Sequence, residues 1–310
     1  MQKLLWILVF SLLGCGAKEP EKVTLAINPW PGYELLYLAH EKGFLRGENL
    51  QIELMEVMSL ADSQRAYLMG NAEGFASTMI EATQVASLGG EPVQVVLLTN
   101  YSSGGDVVLG QAGITSMKDL KGKLVGCEVG VLGIYILSRA LALHGMSLAD
   151  VNVINVEQAD SFDMMNAGKI DAVVTYAPFM SKTMNIDGVH PLFSSLEVPG
   201  EIIDVVSFSQ ASIKNHPDLV PLLKSAWEKS LAQLEQYPEQ SMAIMAKREG
   251  VSVQDYAESL KLLTLLPLAE QQKIKQNKQQ LKAMGKALCQ ALNNIGSIES
   301  DCKHMDNIFN

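Results

Sequence analysis

The strongest constraint on this chain's fold is a strand-helix alternation that runs for about eighty residues, closes, and then starts again. Residues 23–27 (VTLAI) form a short β-rich run ended by the Pro- and Gly-containing loop 28–32. Residues 33–42 (YELLYLAHEK) place Leu35, Leu36, Leu38 and Ala39 on one helical side, and Gly43 stops the helix. A strand at 50–57, a helix opening at Ser59, a strand at 75–78, a helix at 79–88 and a continuous apolar strand at 93–99 follow. This order predicts a mainly parallel sheet with helices on both faces. A second round covers roughly 105–205, with strands at 107–109, 124–128, 151–156 and 172–175 separated by helical segments. A strand at 205–208 heads back toward the first unit. Beyond Pro217 the pattern is helical, ending in one long helix over about 268–293.

The reading is therefore α/β: two lobes, each a mixed, mainly parallel sheet flanked by helices, with a helical C-terminal tail. The expected boundaries are 23–104 plus 207–310 for lobe 1 and 105–206 for lobe 2. Among the 310 residues 48% are hydrophobic, enough for two such cores. With 24 Lys and Arg against 34 Asp and Glu, the net charge is −10. That balance argues against a nucleic-acid partner, which needs a basic face.

The N-terminus reads as an export signal. Lys3 precedes the apolar run 4–13 (LLWILVFSLL), which is too short to span a bilayer. The sequence Leu12-Leu13-Gly14-Cys15 resembles a bacterial lipobox. It implies a signal peptide over 1–14, lipidation of Cys15, and a tether over 15–22. The protein is then expected on the periplasmic face of a bacterial membrane, lipid-anchored and monomeric, where disulfides persist. Of the four cysteines, Cys127 falls in an apolar strand and reads as an inert thiol, whereas Cys289 and Cys302 lie together in the tail and are expected to bond.

Six segments, in order, carry a family resemblance: Trp30-Pro31-Gly32-Tyr33-Glu34; Ser59-Leu60-Ala61-Asp62; Ser77-Thr78-Met79-Ile80-Glu81; Tyr101 through Asp106; Asp119 through Gly130; and Gly168 through Pro178. Together they are similar to the nitrate/sulfonate/taurine and thiamine-precursor type of substrate-binding protein of ABC importers. The resemblance implies two lobes joined by crossover strands, a small-molecule ligand in the cleft, and an ABC permease as partner. A membrane sensor reading the closed form is the alternative partner.

Ligands of open α/β sheets bind beyond the carboxyl ends of strands. That rule and the resemblance select the same turns and the same candidates: Trp30, Tyr33, Glu34, Thr78, Glu81, Tyr101, Asp106, Gly130, Tyr176 and Asp204. Trp30, Tyr33 and Tyr176 could wall a pocket. Glu34 is equally a helix-dipole partner, and Asp106 is equally a hinge residue. The loop 130–133 precedes a helix whose N–H groups could hold an anion. Asp62 after Ser59 reads as a helix cap. These turns hold acids and no Lys or Arg, because Arg65 and Arg139 fall inside helices. The balance favours a ligand with positive charge or several N–H donors. Enzymatic readings lack support: the five histidines show no metal-ligand spacing, and there is no Gly-x-Ser-x-Gly or Cys-x-x-Cys motif. The histidine and cysteine-rich motif of thiamine-pyrimidine-forming enzymes is also missing. No cofactor is expected.

Overall fold

The computed structural model describes residues 19–306, 308 and 309. The expected signal peptide, 1–14, and the expected lipidation site Cys15 lie outside the described residues. The first unit runs β1 (Glu21–Ile27), α1 (Glu34–Glu41), β2 (Leu50–Glu56), α2 (Leu60–Leu68), β3 (Gly74–Thr78), α3 (Met79–Gln84) and β4 (Val93–Ser102). The second runs β5 (Asp106–Gly110), β6 (Leu124–Cys127), α4 (Leu132–Leu143), β7 (Asn152–Asn155), α5 (Ser161–Asn166), β8 (Ala172–Tyr176), α6 (Phe179–Thr183) and β9 (His190–Ser194). The chain then returns as β10 (Ile203–Ser209) and finishes with α7 (Gln210–Asn215), α8 (Leu219–Gln236), α9 (Pro238–Glu249), α10 (Val253–Leu260), β11 (Leu263–Leu265), α11 (Leu268–Gln276) and α12 (Lys278–Asn294).

Two sheets result, with strand orders β11-β4-β10-β3-β1-β2 and β7-β6-β8-β5-β9. In the first, β1 pairs in parallel with β2 and β3, while β10 lies antiparallel between β3 and β4. In the second, β6 is parallel to β7 and β8, and β5 is antiparallel to β8 and β9. Two of the antiparallel strands, β5 and β10, follow the crossovers between the sheets. β4 passes into β5 through three residues, and β10 brings the chain back. Helices cover the first sheet: α1 packs on α8 and α9, and the α8 face of Leu219, Leu223, Ala226, Trp227 and Ser230 is buried at helical spacing.

Local chemistry sets the element ends. Ser59 Oγ accepts from Asp62 N at 3.2 Å, the cap anticipated for α2. Pro238 opens α9, and Gly250 closes it in a left-handed conformation, φ 70°. Four sequence expectations need correction. The tether ends earlier, because Glu21 already pairs with Leu50 in the sheet. The second crossover lies before Ile203 rather than at 206, since all of β10 belongs to the first sheet. The expected final helix breaks at Asn277 into α11 and α12. The strands β9 and β11 add edges that short, weakly patterned segments did not reveal.

Cys289 and Cys302 are bonded, with Cα atoms 5.9 Å apart. The bond ties the terminal segment to α12, and Val95 N donates to Ile308 O at 2.8 Å, docking that segment on β4. A Cys302→Ser variant should lose about 3 kcal/mol of unfolding free energy on the chain-entropy estimate for a loop this short. Urea unfolding with and without reductant checks it; equal stabilities would show that the bond adds nothing.

Candidate functional site

The carboxyl ends of β1, β3 and β4 point toward the second sheet. There the start of β10, the start of β5, the end of β8 and the first turn of α4 meet them. They enclose a tight cavity of about 10 Å³, room for about one water molecule, lined by Asn28, Trp30, Tyr33, Leu60, Asp106, Leu132, Tyr176 and Asp204. The crossovers put Asp106 and Asp204 there. Asp204 stands opposite Asn100 on one side and Thr78 on the other in the strand register. It accepts from Tyr33 Oη at 2.7 Å and from Asn100 Nδ2 at 2.6 Å. Trp30 from the first unit and Tyr176 from the second meet edge to face, ring centroids 5.8 Å apart. The approach is close enough to need glycine: a Cβ on Gly32 would lie 1.8 Å from Asn100 Oδ1.

The cavity is unusual in what its polar atoms lack. Asn28 Oδ1, Trp30 Nε1, Asp106 Oδ2 and Tyr176 Oη are buried without a hydrogen-bond partner. Buried polar atoms are nearly always paired, so four orphans around one cavity mark a place where a water or a polar ligand group completes the bonding. Nearby, Glu128 Oε1 is also buried and unpartnered.

Burial pushes the Asp106 carboxyl up to about 7; a Ser102 hydrogen bond pulls it down and Glu81 adds repulsion. Burial likewise raises Glu128 to about 7, against hydrogen bonds from Ser59 and Gln158. Asp204 rises well above the usual carboxyl range through burial and then Asp106, despite Tyr33 and Asn100. Burial raises the Tyr33 and Tyr176 hydroxyls as well. No lining residue is basic, so nothing in the wall neutralises these acids.

Of the ten candidates read from the sequence, the structure brings Trp30, Tyr33, Asp106, Tyr176 and Asp204 to the cavity wall. The others sit elsewhere. Glu34 is fully buried and bonded to Arg248 of α9, 214 residues away. Thr78 and Glu81 form the capping box of α3. Tyr101 is half-buried and lies outside the lining, because strand alternation turns its neighbour Asn100 toward Asp204 instead. Gly130 is exposed at φ 96°, and its carbonyl accepts from Gln84 Nε2 at 2.7 Å. The anion expected beside loop 130–133 is internal: Leu132 N donates to Glu81 Oε1 at 2.7 Å. Asn28, Leu60, Leu132 and the supporting Asn100 were not singled out beforehand.

A wider groove outside this site runs between α4 and α12, where Arg139 pairs with Glu201 through two bonds of 2.7 and 2.6 Å. Its charges are already matched. Cys127 is buried, and its thiol is pushed up to about 12, mainly by burial, so it is no nucleophile at neutral pH. Among the described residues no helix is long and apolar enough to cross a membrane.

Comparison with known proteins agrees with this architecture. A family model described as "NMT1/THI5 like" matches residues 30–241. A Haemophilus influenzae protein named for thiamine biosynthesis is 28% identical over 158 residues, covering 51% of this chain and 50% of that protein. The chain thus matches about half the length of this curated relative. The periplasmic aliphatic sulphonate binding protein SsuA of Escherichia coli superimposes with a TM-score of 0.76 at 18% identity, over 94% of this chain and 98% of that one. The desulfurization enzyme DSZB gives 0.65 at 14% identity, over 93% of this chain and 96% of that one. At these identities the structural likeness establishes the two-lobed periplasmic-binding-protein fold, which carries binding and catalysis alike.

Proposed function

The chain belongs to the NMT1/THI5-like family, and from that membership we propose that it is an extracytoplasmic solute receptor. It closes its two lobes on a small ligand and delivers it to an ABC permease. The proposal includes anchoring through lipidated Cys15 and action as a monomer. The observation that carries it is the cavity between the lobes with four unpartnered buried polar atoms: one obligate acceptor, Asn28 Oδ1, one obligate donor, Trp30 Nε1, the hydroxyl of Tyr176, and Asp106 Oδ2, which is acceptor-only once its carboxyl is ionised. Aromatic walls with a few placed polar groups are the usual make-up of a small-molecule site.

The site is closed down to about one water, so a ligand enters only as the lobes part; the class it suits is small and flat enough to lie against Trp30 and Tyr176, and presents N–H donors or a positive charge to the acids. A cation would also be favoured by the faces of those rings. No residue of the lining supplies an activated nucleophile, which favours binding over catalysis.

Mass spectrometry of small molecules released from the denatured purified protein should recover such a compound. Calorimetry should then show Asp106→Asn binding it more weakly by about 2 kcal/mol, the order of a charge-assisted hydrogen bond. Tight binding of methanesulfonate or nitrate, unchanged in Asp106→Asn, would reject this ligand class.

A further inference from the structure

Glu81 contributes nothing to the cavity wall, yet its carboxylate is fully buried between the two lobes and is held from both sides. On the first lobe, Thr78 N and Thr78 Oγ1 donate to Oε2 at 2.9 and 2.5 Å. On the second, the first amide of the twelve-residue helix α4, Leu132 N, donates to Oε1 at 2.7 Å. The amino end of a helix carries unsatisfied N–H groups and a partial positive charge, and it is the place in this cleft where an anionic group would be drawn. A second donor points to the same region: Trp30 Nε1 is buried and unpartnered on the cavity that Leu132 also lines.

Building on the receptor reading, we propose that Glu81 is a specificity-determining residue: its carboxylate is a built-in anion that fills the donor site between Thr78 and α4 and so bars anionic ligands from the cleft. The same contact makes Glu81 a latch. Its bonds to Thr78 survive lobe opening, since both residues belong to one capping box, whereas its bond to Leu132 N exists only when the lobes are together.

The exclusion has two parts. A sulfonate, nitrate or carboxylate entering the cleft finds the Thr78 and Leu132 donors taken. It also enters a buried medium where burial and Glu81 already oppose the ionisation of Asp106 and Asp204, so a further negative charge is disfavoured there. Neither obstacle applies to a ligand that brings donors and leaves the Glu81 bonds in place. This arrangement discriminates by repulsion as well as by attraction.

Removing the side chain should uncover the donors. In Glu81→Ala, formate and methanesulfonate should each raise the thermal midpoint by about 2–4 °C at concentrations some tenfold above their dissociation constants. The wild-type midpoint should not respond to them beyond a chloride control. The fluorescence of Trp30, which touches Tyr176 across the lobes, should follow the same titration in the variant. A folded Glu81→Ala protein indifferent to both anions would overturn the assignment, as would a wild-type protein that binds them equally well. If Glu81→Ala does not accumulate, purification in formate should restore folded protein; failure in formate as well as without it also counts against the assignment. The receptor reading is judged separately, by the ligand recovered from the wild-type protein.

Discussion

Arg248→Ala should lower the unfolding free energy by about 3–5 kcal/mol, the usual cost of leaving a buried charge without its partner. Arg248 reaches from α9 into the first sheet. Its guanidinium bonds Glu34 Oε1, donates to Ile27 O at 3.3 Å and to Glu56 Oε2 at 3.4 Å, and lies 5.6 Å from the centre of the Tyr37 ring. Both partners of the central pair are buried. Glu249, with two unpartnered buried oxygens, presses on the same cluster, and burial together with Glu34 holds its carboxyl well above the usual range. Burial raises the Glu34 carboxyl and Arg248 opposes that rise, so without Arg248 Glu34 must hold a proton or drag water inward. Glu34 opens α1 directly after the loop that carries Trp30 and Tyr33, so the same variant should also weaken ligand binding. Replacing Glu34 and Arg248 together by Leu and Met should cost less than Arg248→Ala alone, because no charge is stranded. Urea titrations of the three proteins check the order; a single variant within about 1 kcal/mol of wild type would show that the cluster does not hold the helix down.

The ligand-free protein should lose stability as the pH rises from about 4 to about 7. In the unfolded chain aspartates and glutamates release their protons near pH 4. In the folded chain Asp106 and Glu128 keep theirs to about 7. Between those limits the folded state binds more protons than the unfolded one, so each pH step upward favours unfolding. The contribution is fully present below about pH 4 and is spent once the pH passes about 7. For Asp106 the interval corresponds to roughly 4 kcal/mol at about 1.4 kcal/mol per pH unit. Asp119 and Asp150, lowered by hydrogen bonds from Thr115 and Ser147, work in the opposite direction and below about pH 4. Unfolding free energies at pH 4 to 8 should therefore decline, and Asp106→Asn should flatten the decline. A rise across that range would refute it. A cationic ligand supplies the charge that the protons otherwise provide, so its binding near neutrality should release protons, which calorimetry in buffers of different ionisation enthalpy detects.

Much of this architecture is legible in the sequence because strand-helix alternation is a local signal. Each apolar strand, each helix cap such as Ser59 with Asp62, and each stop such as Gly43 can be recognised within a few residues. The cavity residues Asp106, Tyr176 and Asp204 are reachable by the rule that sites lie beyond strand ends. Asn28 and Asn100 fall in turns that the rule selects, yet go unpicked there because neutral amides stand out neither by charge nor by aromaticity. The choice between Asn100 and Tyr101 turns on strand parity. That parity depends on the irregular register of β10 against β4, which breaks at Asp204/Val205 and Val206/Ser207. Glu34 is out of reach for another reason. Its partner, Arg248, is 214 residues away in a helical tail whose docking no local pattern announces. Glu81 was the recoverable case. Thr78 followed three positions later by Glu81 is a capping box, and the structure shows the box extended to a second helix.

The insertion of β10 between β3 and β4 also dictates how the chain can assemble. Asp204 pairs with Asn100 on one side and Thr78 on the other, so the middle of the first sheet is a joint between segments more than a hundred residues apart. The second sheet, in contrast, is drawn from one uninterrupted stretch between those partners. A chain emerging amino end first can complete that inner unit while β1 to β4 still lack their central neighbour. Closing so long a loop costs entropy before any pairing repays it, which places the step late and makes it slow. Until β10 arrives the earlier strands stand with unpaired edges, and that interval is when the folding chain is most exposed to aggregation.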